Sequence, residues 1–147
     1  MPNPSIHQCS ERDSAFVCDF EACSVPPDQF DHRAHLRLAY VYLCRDTVPE
    51  AAVRMSASLR RYLAHLQADP AKFHQTMTDA WVRAVRHFMD TAPACADFAA
   101  FVEASPALLD TRIMLSHYSA QTLFSDQARQ AFVAPDLQSI PPPPGSA

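Results

Sequence analysis

Only one glycine, Gly145, occurs among 147 residues, and it lies in the last three positions. Glycine-rich phosphate loops, dinucleotide fingerprints and two-residue hairpins need backbone at positive φ, which glycine reaches without steric cost. Nucleotide folds built on such loops are therefore disfavoured, as are sheets built from tight hairpins. Length and the 48% hydrophobic content predict one domain with a sizeable core rather than a disordered chain. The net charge of −4, with arginines dispersed and Lys72 the single lysine, argues against a nucleic-acid partner, because phosphate affinity comes from clustered basic residues. An all-α bundle of about five to six helices is expected.

Residues Met1 to Phe16 contain no apolar signal core, and no run approaches the roughly 18 apolar residues that would span a membrane. Cys9, Cys18, Cys23, Cys44 and Cys95 are odd in number, irregularly spaced and without a CxxC pair. Reduced thiols in a cytoplasmic protein are the expectation, rather than a disulfide framework. A soft-metal pair at Cys18 and Cys23 is the less favoured alternative.

Residues 1–27 read as an N-terminal arm, 28–137 as the helical domain and 138–147 as a proline-rich tail that cannot continue a helix. Helix one is predicted from Asp28 to Arg45. Thr47 and Glu50 make a capping box for helix two, which runs to about Ala68, and the short connection makes the pair antiparallel. Asp69 and Pro70 are predicted to open helix three, which ends near Thr91. Phe98, Phe101 and Val102 mark a shorter helix. Ser105 and Pro106 are expected to cap a fifth helical segment through Leu115, and Ser125 a last one through Phe132.

At about 100° per residue, His32 and His35 share a stripe with Leu36, Ala39 and Leu43, and His74 aligns with Met77, Trp81 and Val85. These three are expected to face inward. His117 follows the Leu109 and Ile113 stripe as a fourth candidate. His7, His65 and His87 are expected in solvent. Three imidazoles with an open position are the usual composition of a catalytic zinc centre and also suit iron or copper. His32, His35 and His74 are therefore the predicted ligands of a divalent metal. The competing reading is a polar network in which these histidines bond to one another, to Tyr42 or Tyr118, and to Thr76 and Thr78. Asp31 reads as a partner of the helix N-terminus, and Asp110 as a carboxylate able to orient His117.

The run Phe30-Asp31-His32-Arg33-Ala34-His35-Leu36, then Lys72-Phe73-His74-Gln75-Thr76, then His117-Tyr118-Ser119 and finally Pro135-Asp136, resembles a family of small bacterial all-helical proteins. Its members share the patterns FxHRxHL, KYHET, YS and PD, but no activity comes with the resemblance. It implies that His32, His35, Lys72, His74, Thr76, Tyr118 and Ser119 form one constellation. Gln75 stands where the family carries glutamate, and glutamine can only hydrogen-bond.

The leading functional expectation is a small metal-binding enzyme acting on a small polar metabolite. Lys72, His117 and Tyr118 are its candidate catalytic residues, and Gln75, Thr76 and Ser119 its candidate substrate contacts. The alternatives are a non-catalytic ligand-binding or accessory protein, open to homodimer formation, and a haem or metal carrier. No nucleic-acid or membrane partner is expected.

Overall fold

The computed structural model describes residues 6–140, so residues 141–147 of the expected tail lie outside it. Among the described residues every regular element is helical. These are α1 (Glu11–Glu21), α2 (His32–Arg45), α3 (Val48–His65), α4 (Gln75–Thr91), α5 (Phe98–Ala104), α6 (Ala120–Leu123) and α7 (Asp126–Gln130), with 3-10 turns at Pro27–Gln29, Pro70–Lys72, Pro106–Leu109 and Thr111–Ser116. Helix α2 lies at the centre, since six consecutive residues, Leu38 to Leu43, are buried. Each large apolar side chain so buried contributes roughly 1.5–3 kcal/mol, more than a single helix cap at about 1 kcal/mol. Helices α3 and α4 pack on α2 and on each other, α1 covers α2 and α3, and α7 lies on α4.

The segment expected as an arm carries a helix that belongs to the core. Ser10 and Asp13 form a reciprocal capping box at 3.0 and 3.1 Å, and Val17 and Phe20 are fully buried. Asp13 also accepts from the Phe98 N–H at 3.0 Å and from Arg37 Nε at 2.9 Å. Burial works against its charge, but these donors hold the carboxyl below its ordinary range. His7, expected in solvent, is bonded at both ring nitrogens. Nε2 donates to the Met89 carbonyl at 2.7 Å and Nδ1 accepts from Cys95 N–H at 3.2 Å.

Two helix starts move from their expected places, and one expected helix is absent. Pro27–Gln29 is a separate turn, so α2 begins at His32, with Asp31 as its N-cap accepting from Ala34 N–H at 2.9 Å. Pro70–Lys72 is likewise a separate turn, and α4 starts after His74. The predicted fifth helix is replaced by two 3-10 turns. Ser105 makes no side-chain cap bond there, while Asp110 accepts from Arg112 N–H at 2.9 Å and restarts the chain. The buried set is consequently Leu108, Met114 and Tyr118, and Leu109 and Leu115 are exposed.

Scarcity of glycine shows at two helix ends. Cys23 (φ 61°) follows α1 and Gln67 (φ 56°) follows α3, both in the left-handed region. Each closes a Schellman motif. Ser24 N–H reaches Asp19 O at 2.8 Å and Cys23 N–H reaches Phe20 O at 2.9 Å. At α3, Ala68 N–H reaches Leu63 O and Gln67 N–H reaches Ala64 O, both at 3.0 Å. Side chains with a Cβ bear the left-handed cost that glycine would avoid.

Candidate functional site

A cavity of about 540 Å³ opens where α2, α3 and α4 meet. Its walls are mostly hydrocarbon and aromatic: Leu36, Ala39, Met55, Leu59, Tyr62, Leu63, Phe73, Met77 and Trp81 contribute to it. Size and lining fall within the range of small-molecule pockets. Its polar members are Asp31, His32, His35, Lys72, His74, Thr78 and Thr111. Proximity in sequence explains part of this grouping. His32 and His35 stand one turn apart in the first turn of α2, and Lys72 to His74 form the short link entering α4.

The three predicted metal ligands all border this cavity, but their nitrogens differ in availability. His74 is the N-cap of α4: its Nδ1 accepts from Met77 N–H at 3.0 Å and its Nε2 donates to the Leu123 carbonyl at 2.6 Å. Neither nitrogen has a lone pair left for a metal. Burial lowers its pKa and nearby Arg129 adds to the effect, while the bond to the Leu123 carbonyl works against it. His32 Nε2 faces the Leu108 carbonyl at 2.9 Å. A carbonyl only accepts, so that nitrogen carries the proton and Nδ1 keeps its lone pair. By the same reasoning His35 donates from Nδ1 to Asp31 O at 3.2 Å and keeps the lone pair of Nε2. Burial depresses the His35 pKa below 6.5 despite that hydrogen bond, which favours the neutral ring.

Aromatic contacts hold both open imidazoles. Trp81 meets His32 edge-on at 4.7 Å, and Phe30 packs against His35 at 4.1 Å. Among the described residues Lys72 forms no ion pair, and neither its ammonium nor the Trp81 indole N–H has a hydrogen-bond partner. Also among the described residues, no group of three or more His, Cys, Asp or Glu side chains is gathered as a metal centre.

The other predicted site residues sit elsewhere. His117 donates from Nδ1 to Gln138 O at 2.7 Å, and its own carbonyl accepts from Leu137 N–H at 2.9 Å. Tyr118 is fully buried and donates to Val133 O at 2.6 Å. Thr76 donates to Ala131 O at 2.9 Å and accepts from Val133 N–H at 3.0 Å. Ser119 donates to Asp136 Oδ2 at 2.7 Å. Together these side chains strap residues 131–138 onto α4 and α6, and none of them lines the cavity. Gln75 bonds to Ser56, Asp79 and Arg60, also away from the cavity. The proposed constellation therefore divides into a cavity group and a strap group.

Of the histidines expected in solvent, His65 is exposed. His87 is half-buried, with Nδ1 buried and lacking a partner among the described residues. Sequence periodicity did not identify Trp81, Phe30, Tyr62 and Phe73 as walls of one cavity. The Trp81 stripe marked that residue only as inward-facing, which suits a filled core equally well. Among the described residues no helix is long and apolar enough to cross a membrane. No family model matches this chain, nor does any curated protein or solved structure.

Proposed function

We propose that the protein binds a small molecule with an apolar body and an acidic, hydroxyl-bearing end in the cavity between α2, α3 and α4. One observation carries the reading. His32 Nδ1 and His35 Nε2 keep open lone pairs on a largely hydrocarbon cavity, whereas His7 and His74 have both nitrogens engaged. An imidazole lone pair accepts from a ligand hydroxyl, the Trp81 indole and the Lys72 ammonium favour an acidic group, and the walls accept a ring or short chain. The lining calls for more hydrocarbon than the polar metabolite expected from the sequence.

Trp81, the only tryptophan, provides the readout. Hydroxylated aromatic acids are expected to change its fluorescence saturably and to raise the melting temperature. His35→Ala should weaken binding about tenfold, equivalent to roughly 1.4 kcal/mol. Lys72→Met should weaken acids by about two- to fivefold, the range of an exposed charge pair, and leave the matching alcohols unaffected. Absence of saturable binding across the series, or binding unchanged by both His35→Ala and the cavity-filling Ala39→Trp, would sink the proposal.

A second reading keeps the metal. The same two lone pairs fit a divalent ion, whether zinc, iron or copper, bound by His32 and His35, with its remaining positions open to water or substrate. Elemental analysis after metal loading tests it. Stoichiometric metal that is lost in both His32→Ala and His35→Ala supports this reading, and retention of none removes it.

A further inference from the structure

Leu63 and Phe73 also border a second cavity of about 540 Å³, which lies between the end of α3, the Pro70–Lys72 turn and α7. Its lining is unlike that of the first. Ala64, Ala68, Pro70 and Ala71 give a hydrocarbon floor of small residues, and Arg60, Asp126, Arg129 and Gln130 bring polar ends to it. The two guanidiniums are held by neutral groups. Arg60 lies over the Phe73 ring at 4.5 Å and donates from Nη2 to Gln75 Oε1 at 3.2 Å, while Arg129 donates from Nη1 to the Ala71 carbonyl at 3.2 Å. Each is thereby fixed in place with donors left over.

Among the described residues, Nε and Nη1 of Arg60 and Nε and Nη2 of Arg129 have no partner. Asp126 stands three residues before Arg129 on α7, so the two side chains are neighbours on one helix face. Yet among the described residues neither arginine nor Asp126 forms an ion pair. Two like charges therefore converge on one cavity, and the carboxylate beside them engages neither. A ligand that carries both signs of charge would engage all three.

We propose that this second cavity binds the zwitterion of a free aliphatic amino acid. The Arg60 and Arg129 guanidiniums take its carboxylate, the planar two-point partner that such donors fit best. Asp126 takes its ammonium. A simple carboxylic acid would meet Asp126 as a like charge, whereas an amino acid holds both signs on one α-carbon, matching a carboxylate and a guanidinium set one helical turn apart. Its side chain lies on the hydrocarbon of Leu63, Ala68 and Phe73, where the alanines leave room. The ligand is thus of another class than the hydroxylated acid of the first cavity.

The test is a titration of leucine into the isotope-labelled full chain at neutral pH, followed by NMR. The amides of Ala64, Ala71 and Gln130 should shift saturably with a millimolar Kd, and the Trp81 indole signal, which belongs to the first cavity, should stay in place. Leucine amide, which lacks the carboxylate, should bind about tenfold more weakly, and isocaproate, which lacks the ammonium, about two- to fivefold. Arg60→Met, at an exposed position, should weaken leucine and isocaproate alike by about fivefold, and Asp126→Asn should weaken leucine alone. Ala64→Trp, also exposed, fills the cavity and should abolish binding. The idea is overturned if leucine gives no saturable shift in the millimolar range, or if its shifts centre on Trp81. It is equally overturned if leucine binds no better than its amide or isocaproate, or if Arg60→Met and Ala64→Trp both leave its affinity unchanged.

Discussion

The cavity and the C-terminal strap use the same residue types to opposite ends. In the strap, Thr76, Tyr118, Ser119 and His117 each bond to a carbonyl or a carboxylate of residues 131–138, and the Thr76, Tyr118 and Ser119 hydroxyls all have partners within the protein. At the cavity, His32 and His35 use one nitrogen for the fold and leave the other open. Two imidazole nitrogens without a partner among the described residues, beside one apolar cavity, make it the better candidate for ligand recognition. Where a group's partners lie within the chain, its role is to hold the chain.

That contrast can be broken by mutation. The largest effect should come from Tyr118→Ala, which opens a cavity in the core and orphans the Val133 carbonyl; a loss of about 3–5 kcal/mol is expected in urea unfolding. Ligand affinity of the molecules still folded should be unchanged. Next, His74→Ala removes the α4 cap and the bond to Leu123, for a loss of about 2 kcal/mol. His35→Ala, by contrast, should alter stability by no more than about 1 kcal/mol and act mainly on binding. Equal destabilisation by the two histidine variants would erase the distinction between them.

Smaller still is the gain from Gln67→Gly. Glycine relieves the left-handed strain but loses chain entropy, leaving about 0.5–1 kcal/mol of stabilisation, measurable as a shift in the urea midpoint. A loss of stability instead would mean that the Gln67 side chain contributes contacts outweighing its strain. The slightest response concerns acid. The His35 and His74 pKa values are lowered in the folded state, so the unfolded chain binds protons first as pH falls. Their contribution is complete above the unfolded value of 6.5 and declines as pH drops through and below it. Unfolding midpoints compared between pH 7.5 and 5.5 should fall less in His35→Ala than in the parent chain.

Much of the helical layout was legible because caps and apolar periods are local. Thr47 and Ser125 are N-caps, and the ends of α2 and α4 at Arg45 and Thr91 lie where the pattern placed them. The arm reading left room for a short extended or helical piece but not for a helix of the core, because the amphipathic stripe of α1 is short and Asp13, a charged residue, is among its buried members. Residues 106–116 were misread because a four-residue apolar spacing fits an α-helix, yet Asp110 caps a second 3-10 turn there. The inward orientation of His32, His35 and His74 was readable from the helical period. Their division between open and engaged nitrogens was not, because Leu108 and Leu123, which accept their protons, lie 76 and 49 residues away.

The sequence by itself therefore determined the class of fold. A single glycine and well-placed caps leave little besides helices, and apolar periods decide which faces meet. Tertiary structure decided what the polar residues do. A hydrogen bond satisfies a lone pair only when a distant carbonyl arrives at the right place. Only packing brings residues 131–138 onto Thr76 and Tyr118 and Leu123 onto His74. The histidine excess thus resolves into His7, His74 and His117 holding the chain, and His32 and His35 facing a cavity with a nitrogen each to offer.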